Sequence, residues 1–175
     1  MELYPKKEFA KVGNRLFTIK NDIINEILRN DKIAKLLYFN EEDALARDLR
    51  TSEKTKLIDT KNNKRRIFDS QMSGIINNEV RSEIRVFYES FQHPSDVSIV
   101  PFINVHTIVH TDLLNLKGDV SSRHDEITKE VMDTLHGFNT TTVGVLHCIE
   151  VSTWSLFDTA FIGYHLLFKG GEIHK

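Results

Sequence analysis

Hydrophobic and polar residues alternate in two neighbouring stretches near the middle of the chain. Residues 80–88 repeat with period two, and residues 99–110 do the same with Ile103, Val105 and Val109 on one face. Such alternation, rich in β-branched and aromatic side chains, is typical of strands that turn one face to a core. We therefore predict two strands, joined as an antiparallel hairpin by a turn at residues 93–96.

A helical period follows, and after it the strand pattern returns. Ser122 and Asp125 have the spacing of a helix-capping pair, and Gly137 stands where helices commonly end. Residues 122–137 therefore predict a helix, and residues 141–149 and 160–169 predict two further strands. The second half of the chain thus has the order strand, strand, helix, strand, strand.

The first part of the chain has weaker patterns. Residues 1–20 mix lysines with scattered apolar residues, and we predict an extended arm there. Residues 21–38 carry an apolar helical stripe interrupted at residues 30–31, which predicts two short helices or one kinked helix. Residues 47–74 are polar without a period, and we predict a long loop.

Together these elements predict an α+β fold. We expect a four-stranded, mainly antiparallel sheet in the order β-β-α-β-β, with the N-terminal helices packed on one face, plus the extended arm and the long loop. A chain of 175 residues has the usual size of one domain, so we expect a single domain over residues 1–175.

Charge and composition narrow the functional classes. The formal net charge is −2 and the sequence pI is about 6.4, so nucleic-acid binding would require a local basic patch. Cys148 is the single cysteine, which fits a reducing compartment. The N-terminal residues lack an apolar run typical of a signal peptide, and no run of about 18 apolar residues occurs. We therefore expect a protein of the cytoplasm with no membrane contact.

Histidines are the first candidates for chemistry. His106 and His110 have a spacing that can chelate zinc from a helix, but in a strand their rings lie roughly 13 Å apart. His147 and Cys148 are adjacent, so on a strand their side chains point to opposite faces and cannot form a catalytic pair. We interpret His106 and His110 as polar positions on a sheet face, and Cys148 as a small buried side chain.

Other catalytic patterns are missing from the sequence. It contains neither the G-x-S-x-G motif of serine hydrolases nor a glycine-rich phosphate loop, and its carboxylates are scattered. We therefore predict a protein that is not an enzyme, with no catalytic residues, no metal and no cofactor. A metal-dependent hydrolase remains the least favoured alternative.

A basic run at residues 61–66 is the remaining electrostatic feature. Lys61, Lys64, Arg65 and Arg66 are candidates for contact with nucleic-acid phosphates. Since no aromatic residue interrupts the run, single-strand binding is less favoured. The alternative is a solvated loop, or a loop that meets an acidic neighbouring subunit.

The pattern from residue 83 to residue 169 resembles the tail-completion and head–tail joining (neck) proteins of bacteriophages. The resemblance is carried by the strands SEIRVFY (82–88) and FINVHTIVH (102–110), the helix start SRHDEI (122–127), the helix end LHG (135–137) and the closing strand FIGY (161–164). In tail-terminator and neck families such a β-β-α-β-β unit, preceded by helices, forms rings that are commonly hexamers.

This resemblance implies a virion structural protein in a ring at the head–tail junction, with the tail terminator as the favoured position. The implied partners are further copies of the chain, the tail tube protein and the head connector, and DNA in the ring lumen is an additional expected contact. The implied location is the neck or tail of the virion, and the host cytoplasm during assembly. The alternative is a nucleic-acid-binding accessory protein that acts through residues 61–66.

Overall fold

The fold consists of a mixed sheet with helices on one face, seen in a computed structural model that describes residues 6–71, 79–95, 98–118, 121–155 and 160–174. The helices are α1 (Lys6–Arg29), α2 (Asp31–Tyr38), α3 (Thr51–Lys54) and α4 (Arg123–Leu135), with single 3₁₀ turns at Ala44–Ala46, Thr55–Leu57 and Thr111–Leu113. The strands are β1 (Ile67–Phe68), β2 (Ser82–Ser95), β3 (Ser98–His110), β4 (Asn139–Thr140), β5 (Gly144–Val145), β6 (His147–Ser155), β7 (Phe161–Lys169) and β8 (Ile173–His174).

The sheet has the order β1-β2-β3-β7-β6, with β8 paired to the start of β3, and β4 and β5 form a separate two-stranded ribbon. All pairs are antiparallel except β1 with β2. The four long strands and α4 follow the predicted β-β-α-β-β order, so the predicted α+β fold is confirmed. The turn predicted at residues 93–96 is wrong for residues 93–95, which belong to β2; residue 96 lies outside the described residues.

The side chains of alternate residues along each strand point to opposite faces of the sheet. Val86 of β2, Val105 of β3 and Leu166 of β7 lie side by side and enter the core beneath α1, α2 and α4. On the opposite face, Arg85, His106 and His165 form the next row. The first row consists of apolar residues and the second of polar ones, as the period-two alternation predicts.

Helix α1 corrects the prediction of an extended arm. Residues 6–29 form one continuous helix, so the arm is helical from residue 6 onward, while residues 1–5 lie outside the described residues. The apolar stripe begins earlier than predicted, because Leu16 and Ile19 precede Ile23 and Ile27 at helical spacing and pack on the core. Polar residues between these positions, Lys20 among them, hide the period when the sequence is viewed alone.

The prediction of a continuous loop at residues 47–74 also needs correction. The segment contains α3, a 3₁₀ turn and β1, and it buries Leu57 and Ile67 in the core. Strand β1 is only two residues long, too short for a period to appear in the sequence. Residues 72–74 lie outside the described residues.

Capping side chains fix the starts of α2 and α4. Asn30 caps α2 by accepting hydrogen bonds from the amides of Lys32 and Ile33, so two helices are present instead of one kinked helix. Ser122 caps α4, accepting from the Asp125 amide at 3.1 Å and donating to the Asp125 carboxylate at 2.7 Å. This hydroxyl contact lowers the pKa of Asp125 from its ordinary value.

Arg123, the first residue of α4, is completely buried. Its guanidinium donates five hydrogen bonds to backbone carbonyls, those of Leu36, Phe39, Asn40, Glu41 and Leu113, at 2.6–3.2 Å. Four of these carbonyls belong to the end of α2 and the turn behind it. The start of α4 is thereby attached to the C-terminal end of α2, whose last carbonyls would otherwise be unsatisfied.

Within the described ranges, no helix is both long and apolar enough to cross a membrane.

Candidate functional site

The predicted basic cluster is only partly available to a partner. Lys61 is exposed, whereas the Lys64 ammonium lies 5.3 Å from the centre of the Tyr38 ring. Arg65 pairs with Asp69 at 3.1 Å, and Arg66 is buried with only 4% of its surface exposed. The four residues therefore do not form one basic patch. Contact of these four residues with phosphates or with an acidic neighbour stays a prediction.

Arg66 begins a ladder of alternating charges that continues along β2. Glu79 bridges Arg66 and Arg81 at 2.8 and 2.7 Å, and Glu83 bridges Arg81 and Arg85 at 2.9 and 2.6 Å. Glu83 is only 1% exposed, and Arg85 lies against the ring of Phe68 in β1. This Arg–Glu ladder thus holds β1 and the preceding loop against the sheet. Arg66 thus has a structural role in the ladder, and its predicted contact with a phosphate or an acidic neighbour stays a prediction.

The two histidines that suggested metal binding have different partners. His106 lies beside His165 of β7, with Nε2 and Nδ1 3.3 Å apart, while His110 packs against Phe161 and accepts a hydrogen bond from the Asp112 amide. Burial lowers the pKa of His106 to about 4, and the nearby His165 and Arg85 contribute. In the part of the chain that the structure describes, no three His, Cys, Asp or Glu side chains are arranged to hold a metal ion.

Cys148 and His147 occupy successive register positions on β6, opposite Phe168 and Lys169, so they face opposite sides as predicted. The Cys148 thiol is half-buried, and burial raises its pKa, which disfavours the reactive thiolate. The His136 ring instead contacts the main chain here, accepting a hydrogen bond from the Cys148 amide at 3.2 Å.

A surface groove lies beside Cys148, where α4 ends next to the edge strand β6. We call it the β6 groove; it has a volume of about 750 Å³ and is lined by Met132, Asp133 and His136 of α4 and residues 148–151 of β6. Six large hydrophobic residues are exposed among the described residues, and three of them, Met132, Ile149 and Val151, line this groove. Clustering of exposed apolar residues at one place is typical of an interaction surface.

The sequence does not predict the β6 groove, for a physical reason. Ile149 and Val151 lie in a strand, and Met132 lies in a helix that also buries Val131 and Leu135. Apolar residues in such elements predict a core. Only the strand order, which leaves β6 at the sheet edge, shows that these side chains remain uncovered.

Comparison with known proteins identifies the family. The sequence model of the YomW family matches residues 30–169, so the chain belongs to the YomW family, which is phage-derived. No curated protein matches the chain. Among solved structures, a chain from the virion of a native gene transfer agent particle is 12% identical, with a TM-score of 0.41; the alignment covers 64% of this chain and 81% of that one.

Proposed function

We propose that this protein is a virion structural subunit, and that its copies form a ring at the head–tail junction, with the tail terminator as the favoured position. The observation that carries the proposal is membership of the phage-derived YomW family over residues 30–169. The confirmed β-β-α-β-β order, preceded by α1 and α2, adds support because ring-forming neck proteins share this order.

The surface of the subunit supports an assembly role. The β6 groove exposes Met132, Ile149 and Val151 together on an unpaired sheet edge. Covering such a surface removes apolar area from water, and this is a main driving force of subunit association. The two walls of the groove come from packed elements, so the surface is present before a partner arrives.

The proposed mechanism is geometric and requires no catalysis. A closed ring of subunits, with a hexamer favoured, ends the growing tail tube on one side and offers a docking surface to the head connector on the other. Cyclic assemblies of this type use head-to-tail contacts, in which two different surfaces of the subunit meet around the ring. DNA that leaves the head passes through the lumen.

Imaging of the purified protein tests this proposal. We expect closed rings in negative-stain micrographs and a single ring mass by native mass spectrometry. We also expect the protein to co-sediment with tail tubes and to be present in purified virions. A chain that stays monomeric at high concentration, binds no tail tubes and is absent from virions would contradict the proposal.

A further inference from the structure

The helical layer on the sheet stops before it reaches the sheet edge. Helices α1 and α2 contact β2, and α4 crosses β3, β7 and β6. Beyond α4 lies the β6 groove, where Val151 is 46% exposed although it occupies the same face of the sheet as buried Leu166. The groove therefore has the position that one more helix of the layer would fill.

The lining of the β6 groove has a negative charge. It contains the carboxylates of Asp133 and Glu150 and no lysine or arginine. Lys129 pairs with Asp133 at the rim, at 2.8 Å, whereas Glu150 is exposed on the strand side. A complementary occupant is thus a basic segment with apolar residues.

The N-terminal half of α1 has this chemistry. Residues 6–12 carry Lys6, Lys7 and Lys11 against Glu8, a net charge of +2. Phe17 follows in the same helix with 60% of its surface exposed, which is the largest value among the exposed large hydrophobics of the described residues. Among the side chains described before Ile19, those of residues 13–15 are also exposed, and Leu16 packs only partly on the core.

We propose that residues 6–18 of α1 from a second copy of this chain occupy the β6 groove. The inference rests on the proposed ring function and names the contact that joins neighbouring subunits. The donated helix and the receiving groove are different surfaces, so each subunit contacts the next in one direction, and a ring closes when the rotation between subunits fits. Thirteen residues of helix span about 20 Å.

The free edge of β6 favours a helix over an added strand as the occupant. Cys148 pairs with Phe168 and Glu150 with Leu167, so Ile149 is an extra residue that forms a β-bulge. A bulge disrupts the regular spacing of main-chain donors and acceptors on which strand addition depends. A helix in the groove would contact side chains, Ile149 among them, and does not need a regular main-chain ladder.

Cysteine cross-linking on the full chain tests the inference. Cys148, the single cysteine, lines the groove. With Lys11→Cys, a short bis-maleimide should link neighbouring copies into a ladder of covalent oligomers that ends at the ring size. The same treatment of Arg29→Cys, at the other end of α1 and with a side chain 76% exposed, should give no ladder. Adding Cys148→Ser to Lys11→Cys should abolish the ladder.

The outcomes separate this inference from the proposed function. Rings with a ladder support both, and rings without a ladder, or with only a link inside one chain, overturn the inference alone. Failure to form any oligomer overturns both. As an independent measurement, Glu150→Lys should weaken association at least tenfold, and Lys11→Glu in the same chain should restore part of it; no loss with Glu150→Lys would contradict the groove contact.

Discussion

Arg123 satisfies all five of its N–H groups with main-chain carbonyls, and four of these carbonyls lie at residues 36–41. Burial lowers the pKa of its guanidinium from the ordinary arginine value, which is high enough for the group to stay charged. A planar fork of donors fits this arrangement, whereas the three donors of a lysine ammonium leave at least two carbonyls without a partner.

We therefore expect Arg123→Lys to lower the free energy of unfolding by about 3 kcal/mol or more, because hydrogen bonds from a charged donor are lost and buried carbonyls remain unsatisfied. Urea denaturation followed by circular dichroism gives this difference. The matched control is Arg29→Lys, at an exposed position, for which we expect less than about 0.5 kcal/mol. Equal effects of the two substitutions would show that the carbonyl contacts of Arg123 contribute little.

His106 predicts a dependence of stability on pH. Its pKa is about 4 in the folded protein and about 6.5 in an unfolded chain, so unfolding takes up a proton between these values. The buried neutral ring of His106 leaves the free energy of unfolding at its full value above pH 6.5. That free energy falls as the pH falls towards 4, with a loss on the order of 2 kcal/mol at pH 5. His106→Gln should flatten this part of the urea-denaturation profile. His93→Gln, at an exposed position, should leave the profile unchanged.

At the level of elements, the Arg–Glu ladder joins β2 to β1 and to the loop before it. Glu83 lies between Arg81 and Arg85 and is the most deeply buried of the ladder's carboxylates. Removing one charge from such a group leaves its buried partners uncompensated, which usually costs more than removing the pair.

Glu83→Gln should accordingly destabilise the protein by about 3 kcal/mol. Adding Arg85→Gln should recover part of the loss, since the uncompensated guanidinium next to Phe68 disappears. A double-mutant cycle by urea denaturation measures the coupling between Glu83 and Arg85. Strictly additive losses would be evidence against the ladder acting as a unit.

The elements differ in how well the sequence predicts them. Period two predicts β2 and β3 because one face of each carries apolar residues to the core, and the caps of α4 are visible in Ser122 and Gly137. The first half of α1 is not predicted, because Lys6, Lys7 and Lys11 are mixed with its few apolar residues and no helical period emerges. Strand β1 depends on pairing with a residue 17 positions later, Ile67 with Ile84, which no local pattern encodes.

The sequence likewise predicts only part of the candidate site. The basic run is visible in the sequence, but the burial of Arg66 depends on Glu79 and on the sheet behind it. The β6 groove depends on strand order alone. At the scale of the whole molecule, the N-terminal half of α1 and the β6 groove are two different surfaces on one subunit, and directional assembly requires two such surfaces.

Both free edges of the sheet contain a bulge. In β2 the extra residue is Glu89, beyond the short stretch covered by β1, and in β6 it is Ile149. An unbroken free edge can pair with the same edge of another copy of the chain, and such pairing favours stacking into fibrils. The two bulges interrupt such stacking at both ends of the sheet. We therefore expect the bulges to lower the tendency of the chain to aggregate through its sheet edges.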